Sequence, residues 1–143
     1  MFQRVLIAWD GSEVALHAFD VAINLTRRYN ADLVAVSIAY SPAHAETAAD
    51  RAETSDAAHR YLTETFHDVA DRAYRAGIAV SHEIIDGATE AKALLNYAHE
   101  HGFDLIVCGH HPSHRTGRLL LRGVTQDLIQ GPTPVLVVGD GIR

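Results

Sequence analysis

Two stretches of the chain carry residue types suited to a small-molecule site. One is Leu105 to Gly123. Here the apolar run Leu105-Ile106-Val107-Cys108 meets Gly109, and a polar stretch follows with His110, His111, His114 and Arg115. The other is Ala8-Trp9-Asp10-Gly11-Ser12, where an apolar run breaks on a carboxylate, a glycine and a hydroxyl. Arg115, Arg118 and Arg122 make a local basic cluster, and Arg118 and Arg122 stand four apart, on one face of a helix. Such a cluster serves either as a solvated face or as an anion trap at a helix start.

Three imidazoles close together also suggest Zn²⁺ or Ni²⁺. Successive loop residues seldom aim at one centre, however, and no acidic residue lies between His110 and His114. The histidines therefore read as solvated loop residues, or as phosphate ligands when protonated. Ser113 beside His111 and His114 is a poor nucleophile, because a third, orienting group is missing. No catalytic residue is assigned.

The elements that must position these residues are legible from periodicity. Arg4 to Trp9 is a short apolar run, as in a strand buried on both faces. Ser12 then Glu13 form an N-cap with an acidic first turn. Val14, Leu16, Phe19, Val21, Ile23 and Leu25 supply a helical stripe, with Arg27 and Arg28 in the last turn and Asn30 to close it. Asp32 to Ala39 is a second buried strand. Tyr40 to Arg51, rich in alanine with Ser41 and Pro42, reads as a loop near the second strand end, able to order over a ligand or client protein.

A second helix begins between Thr47 and Thr54 and runs to about Ala76, where Gly77 stops it. Ile78 to Ile85 is a half-exposed third strand. Thr89 caps a helix carrying Ala91, Leu94, Leu95 and Ala98. Leu105 to Gly109 is a fourth strand, Gly117 to Gln130 a last helix, and Pro134 to Val138 a fifth strand. The alternation predicts an α/β protein with a parallel sheet and helices on both faces, in one domain over residues 1–143. In such a sheet, ligands bind at the carboxyl ends of the strands.

Composition narrows the function. A net charge of −6 provides no basic field for nucleic acid. The single cysteine, Cys108, excludes an intrachain disulfide framework and suits a reducing compartment. No apolar run approaches the roughly 18 residues of a membrane span. The first residues lack the pattern of a secretory leader. The expected location is the cytoplasm.

Taken together, VLIAWDGS at the start, DLIVCGHH at the fourth strand, GVTQDLI in the last helix and PVLVV near the end resemble the universal stress protein family. The resemblance covers essentially the whole chain. It implies a Rossmann-like five-stranded parallel sheet of order 3-2-1-4-5 and a homodimer, often paired through the last strand. It also implies a stress-response module acting on an unknown protein client.

Nucleotide-binding members carry a glycine, two residues, a second glycine, nine residues, then a third glycine and Ser or Thr. Glycines let backbone N–H groups approach phosphate, and a helix N-terminus adds positive potential. Gly109 matches the first of these. Pro112, Arg122 and Gly123 stand at the other three, with Val124 at the apolar residue that usually follows. Pro112 has no N–H to donate, and Arg122 places a long side chain where backbone should approach. These departures resemble the universal stress protein A subfamily, whose members are regarded as not binding ATP.

Sliding the count by one restores Gly123 as the third glycine, and Arg115-Thr116-Gly117 resembles the nucleotide-binding branch. The first reading is thus weak or absent nucleotide binding without turnover. The alternative is a site for ATP or AMP, with magnesium, that includes His111 in the loop. In that site Asp10 matches the family's acidic residue, a carboxylate able to accept two ribose hydroxyls. As a structural residue it would instead set the Asp-Gly-Ser turn. Ala8 and Ile38 fall where the family lines its adenine slot. Trp9 there is expected to be filler, or to stack on the base.

The last strand, with Val135, Leu136, Val137 and Val138, is apolar throughout and lies at a sheet edge in the implied order. Such an edge invites pairing with a second copy. Leu136 and Val138 are then expected between subunits.

Overall fold

The computed structural model describes residues 1–40, 48–87, 89–110 and 125–139; the side chains of residues 40 and 48–54 also lie outside the description. The chain runs β1 (Arg4–Ala8), α1 (Glu13–Tyr29), β2 (Asp32–Tyr40), α2 (Ala48–Arg75), β3 (Val80–Gly87), α3 (Glu90–Glu100), β4 (Leu105–Gly109) and β5 (Val135–Val138). The five strands form one parallel sheet in the order β3-β2-β1-β4-β5, as expected.

Residues 125–129 are helical, and the rest of the expected last helix lies mostly in 111–124, outside the described residues. So does most of the loop expected over Tyr40 to Arg51. Of that stretch, Tyr40 ends β2 and Ala48 begins α2. No helix among the described residues is long and apolar enough to cross a membrane.

Side-chain alternation along each strand splits the core into two layers. Val5 and Ile7 of β1, with Leu105 and Val107 of β4, face Ala18, Phe19 and Ala22 of α1 and Phe66 and Ala73 of α2. Leu6, Ile106 and Cys108 face the other way, onto Leu94 and Ala98 of α3 and onto Leu128.

Local signals fix the joints. Ser12 Oγ accepts from the Ala15 N–H at 3.2 Å, the expected N-cap. Asn30 ends α1 in the left-handed region (φ 53°) and donates its N–H to Thr26 O. Gly77 (φ 77°) turns the chain out of α2, and the Ile78 N–H returns to Ala73 O at 2.9 Å. That closure consumes Ile78, so β3 starts two residues later than the pattern suggests and extends to Gly87, opposite Tyr40. Thr89 is the N-cap of α3 as expected, but its side chain makes no cap hydrogen bond.

β5 departs from its expectation in one residue. Leu136 is 36% exposed, yet Val138 is buried in the α1 layer of its own chain. Val138 is opposite Gly109 on β4, and α1 covers that end of the strand. It is therefore core, not a subunit contact. Val135 and Val137 pack in part against the Leu128 layer.

Candidate functional site

The polar ends of β1, β2 and β4 surround a cleft of about 500 Å³, counting its open mouth. Ala8, Asp10, Ile38 and Gly109, chosen from sequence, all line it, as does Trp9. Its other walls come from Val36, Leu94, Cys108 and Thr125, with Glu90 at the first turn of α3. The lining is mainly aliphatic with a few polar groups, the usual make-up of a small-molecule site. The crevice opens where neighbouring strands β1 and β4 send their connections in opposite directions, the switch point of such sheets.

Asp10 holds the β1–α1 turn. Its Oδ1 accepts from the Ser12 N–H at 2.9 Å and from Ser12 Oγ at 2.5 Å. Ser12 in turn caps α1, so Asp10 secures the start of that helix at one remove. Gly11 lies at φ 82°, and a β-carbon there would come within 2.9 Å of Tyr61 Oη. Gly109 is required by packing as well: a β-carbon on it would lie 2.9 Å from Val14 O and 3.0 Å from Val14 Cγ1. The glycine lets β4 end directly against the first turn of α1.

Trp9 takes the filler reading of its two alternatives. Its indole lies across the sheet from Leu6 and Ile38, in the α1/α2 layer, 3% exposed. Nε1 donates to Thr65 Oγ1 at 3.2 Å, and the ring meets Phe19 and Phe66 edge-on at 5.9 and 6.4 Å. Alternation along the strand sends residues 8 and 9 to opposite faces, so this ring fills the core and does not stack on a ligand held over Ala8.

Beneath the cleft runs a short polar relay. Ser37 Oγ donates to Trp9 O at 2.6 Å and lies 2.8 Å from His82 Nε2. A hydroxyl has one proton to give, so Nε2 carries the hydrogen that Ser37 accepts. The imidazole lies 4.3 Å from the Phe66 ring, and burial pulls its pKa from 6.5 to about 4. Burial also pushes the Cys108 thiol up to about 11, against a lowering hydrogen bond with Thr125. A thiol so protonated is no nucleophile at neutral pH.

His111, Pro112, Arg115, Arg122, Gly123 and Val124 lie outside the described residues, as do Arg118 and His114. Sequence reasoning missed Glu90, Leu94, Cys108 and Thr125 as cleft residues. The available signal was topological: Thr89-Glu90 follows the end of β3 and so opens at the ligand end of the sheet.

The geometry defines an α/β protein of doubly wound type with an apolar crevice at its switch point and a carboxylate at the rim. Residues 1–139 match the universal stress protein family, and the chain belongs to it. A Staphylococcus haemolyticus protein named as a universal stress protein is 29% identical over 139 residues, covering 96% of this chain and 84% of its own length. The solved universal stress protein UspA from Lactobacillus plantarum superposes with a TM-score of 0.83 at 24% identity, over 96% of this chain and 97% of that one. A universal stress protein solved in complex with cAMP superposes at 0.72 with 26% identity, over 96% and 97%.

Proposed function

We propose that this protein is a regulatory module that senses an adenine mononucleotide in the switch-point cleft and acts by binding, without turnover. The observation that carries the reading is the convergence of Ala8, Asp10, Ile38 and Gly109, from three strands, on one crevice. The base lies over the aliphatic lining and the ribose diol reaches Asp10. Oδ1 is held in place by the two hydrogen bonds it accepts from Ser12. The phosphate lies towards Gly109. A protein of the same family and fold has been solved with cAMP, an adenylate.

The phosphate end is the weak part of this site. Pro112 offers no N–H, so Arg115, Arg118 and Arg122 supply cations in place of backbone donors. Affinity is therefore modest and falls with salt. Calorimetry with AMP and with ATP plus magnesium, at low salt, tests the reading. A dissociation constant below about 1 mM, roughly −4 kcal/mol, supports it, and the absence of heat at millimolar ligand dismisses it.

The module works in the cytoplasm as a homodimer that passes the signal to a protein client. Support for the dimer is the apolar β5 edge with Leu136 exposed. Sedimentation of wild type and of Val137→Lys checks it: a wild-type monomer refutes the pairing.

A further inference from the structure

α1 and α2 run side by side, and both start at the ligand end of the sheet. Two contacts set their register. On the inner side Phe19 meets Phe66 edge-on at 6.1 Å. On the outer side Arg72 donates to both carboxylate oxygens of Asp20, at 2.9 and 3.1 Å. Between that ion pair and the β1–α1 turn, the helices leave a groove of about 610 Å³, counting its open mouth. Leu16 of α1 and Val69 of α2 form its apolar walls, and Trp9 and Thr65 border it. Leu16 and Val69 are only half-buried, packed against the core from outside.

Two acids stand at this groove, Glu13 on α1 and Asp68 on α2, both exposed. Among the described residues, no ion pair involves either. Their neighbours further along the same helices differ: Asp20 is held by Arg72 and Asp71 by Arg75. A first-turn acid such as Glu13 favours its own helix, but Asp68 lies well inside α2 and has no such role. Two uncompensated carboxylates beside apolar surface repel an anionic occupant. They favour one that brings cations together with an aliphatic side chain.

We propose that this groove docks a partner protein through a basic amphipathic helix. An aliphatic side chain of the partner enters between Leu16 and Val69, and a lysine or arginine one turn to either side reaches Glu13 and Asp68. Helices occupy grooves in this way, with anchors spaced three or four residues apart. The groove is distinct from the nucleotide cleft. The cleft lies over Ala8, Ile38 and Leu94 on the other face of the sheet, and the two meet at Trp9 and Ser12. The proposal therefore stands or falls independently of nucleotide binding.

The probe is a synthetic peptide of leucine, lysine and alanine, about 14 residues or four helical turns long, with leucine on one face and lysine flanking it. Its binding to the intact protein is read by fluorescence anisotropy at low salt. Wild type is expected to bind it with a dissociation constant below about 1 mM. Glu13→Gln with Asp68→Asn is expected to weaken binding roughly 3- to 30-fold, the effect of two partly exposed charge pairs. Glu100→Gln with Asp127→Asn removes the same charge from exposed sites on the α3 side and should leave affinity unchanged. A peptide with alanine in place of every leucine should bind more weakly than its parent.

Thermal melting of the variants verifies that they are folded, and Asp68→Asn carries the test alone if the Glu13/Asp68 double variant is not. Equal weakening by both pairs of substitutions means a general attraction to an acidic surface and overturns the proposal. So does undiminished binding of the alanine peptide, and so does a wild type that binds neither peptide. Sedimentation of the same variants identifies the other occupant. A change in oligomeric state on neutralising Glu13 and Asp68 would place a second copy of the chain in the groove, which also overturns the proposal.

Discussion

The two faces of the sheet are built from the same strands yet do opposite things. The α1/α2 face is aromatic and closed. Trp9, Phe19 and Phe66 meet edge-on, and the polar atoms among them are paired: the indole with Thr65, the Trp9 carbonyl with Ser37, and Ser37 with His82. The α3 face is aliphatic, and at the strand ends it opens into the cleft over Ala8, Val36, Ile38 and Leu94. One face packs against the strands from behind; the other offers the surface that their ends define. A site gains precision when its supporting side is packed and satisfied.

The largest effects should come from the closed face. Phe19 has no exposed surface and sits between Trp9 and Phe66. Phe19→Ala leaves a ring-sized hole and is expected to cost about 3–5 kcal/mol in chemical denaturation. Ile38→Ala, on the open face, borders space that is already empty. Its expected cost is about 1 kcal/mol, with a larger fractional loss in nucleotide affinity. Equal stability losses for the two variants would break the comparison.

Gly109→Ala probes the seam between the faces. The added methyl meets the Val14 backbone, which cannot swing aside as a flexible side chain could. Overpacking of this kind is expected to cost about 1–3 kcal/mol, read as a lower denaturation midpoint with an unchanged slope. Wild-type stability with lost binding would show instead that this glycine serves the ligand alone.

How far the sequence led differs between the faces for the same physical reason. Short apolar runs and capping residues made every strand and most helix ends readable, because those signals are local. Ser12 and Asn30 behave as their types dictate. β3 shifted because the turn at Gly77 drew in Ile78, which an apolar pattern alone assigns to the strand. Asp10 and Gly109 line the cleft where strand ends visible in the sequence put them, and Ile38 does so where the family resemblance put it. For Trp9 the sequence leaves filler and base stacking open, because a run buried on both sides does not say which residue faces which layer. Glu90 was not singled out, since only the sheet order shows that the start of α3 borders the cleft. The Trp9–Ser37–His82 relay joins three strands and has no local signature at all.

That relay supplies the smallest expected effect. In the folded protein His82 stays neutral down to about pH 4, because burial beside Phe66 opposes its charge. In the unfolded chain it takes a proton near 6.5. Between these values the unfolded state binds more protons, so stability rises with pH. The contribution is complete above about 6.5 and is lost as pH falls towards about 4. Water reaches part of the ring and screens the charge, so the loss is on the order of 1–2 kcal/mol.

His82→Gln keeps an N–H donor for Ser37 but does not titrate. Denaturation of wild type and variant at several pH values isolates this one group, since the carboxylates are common to both. The variant is expected to lose less stability than wild type between pH 6.5 and 4. Parallel curves would mean that the imidazole is free to charge in place, and that the closed face is looser around β3 than around Trp9.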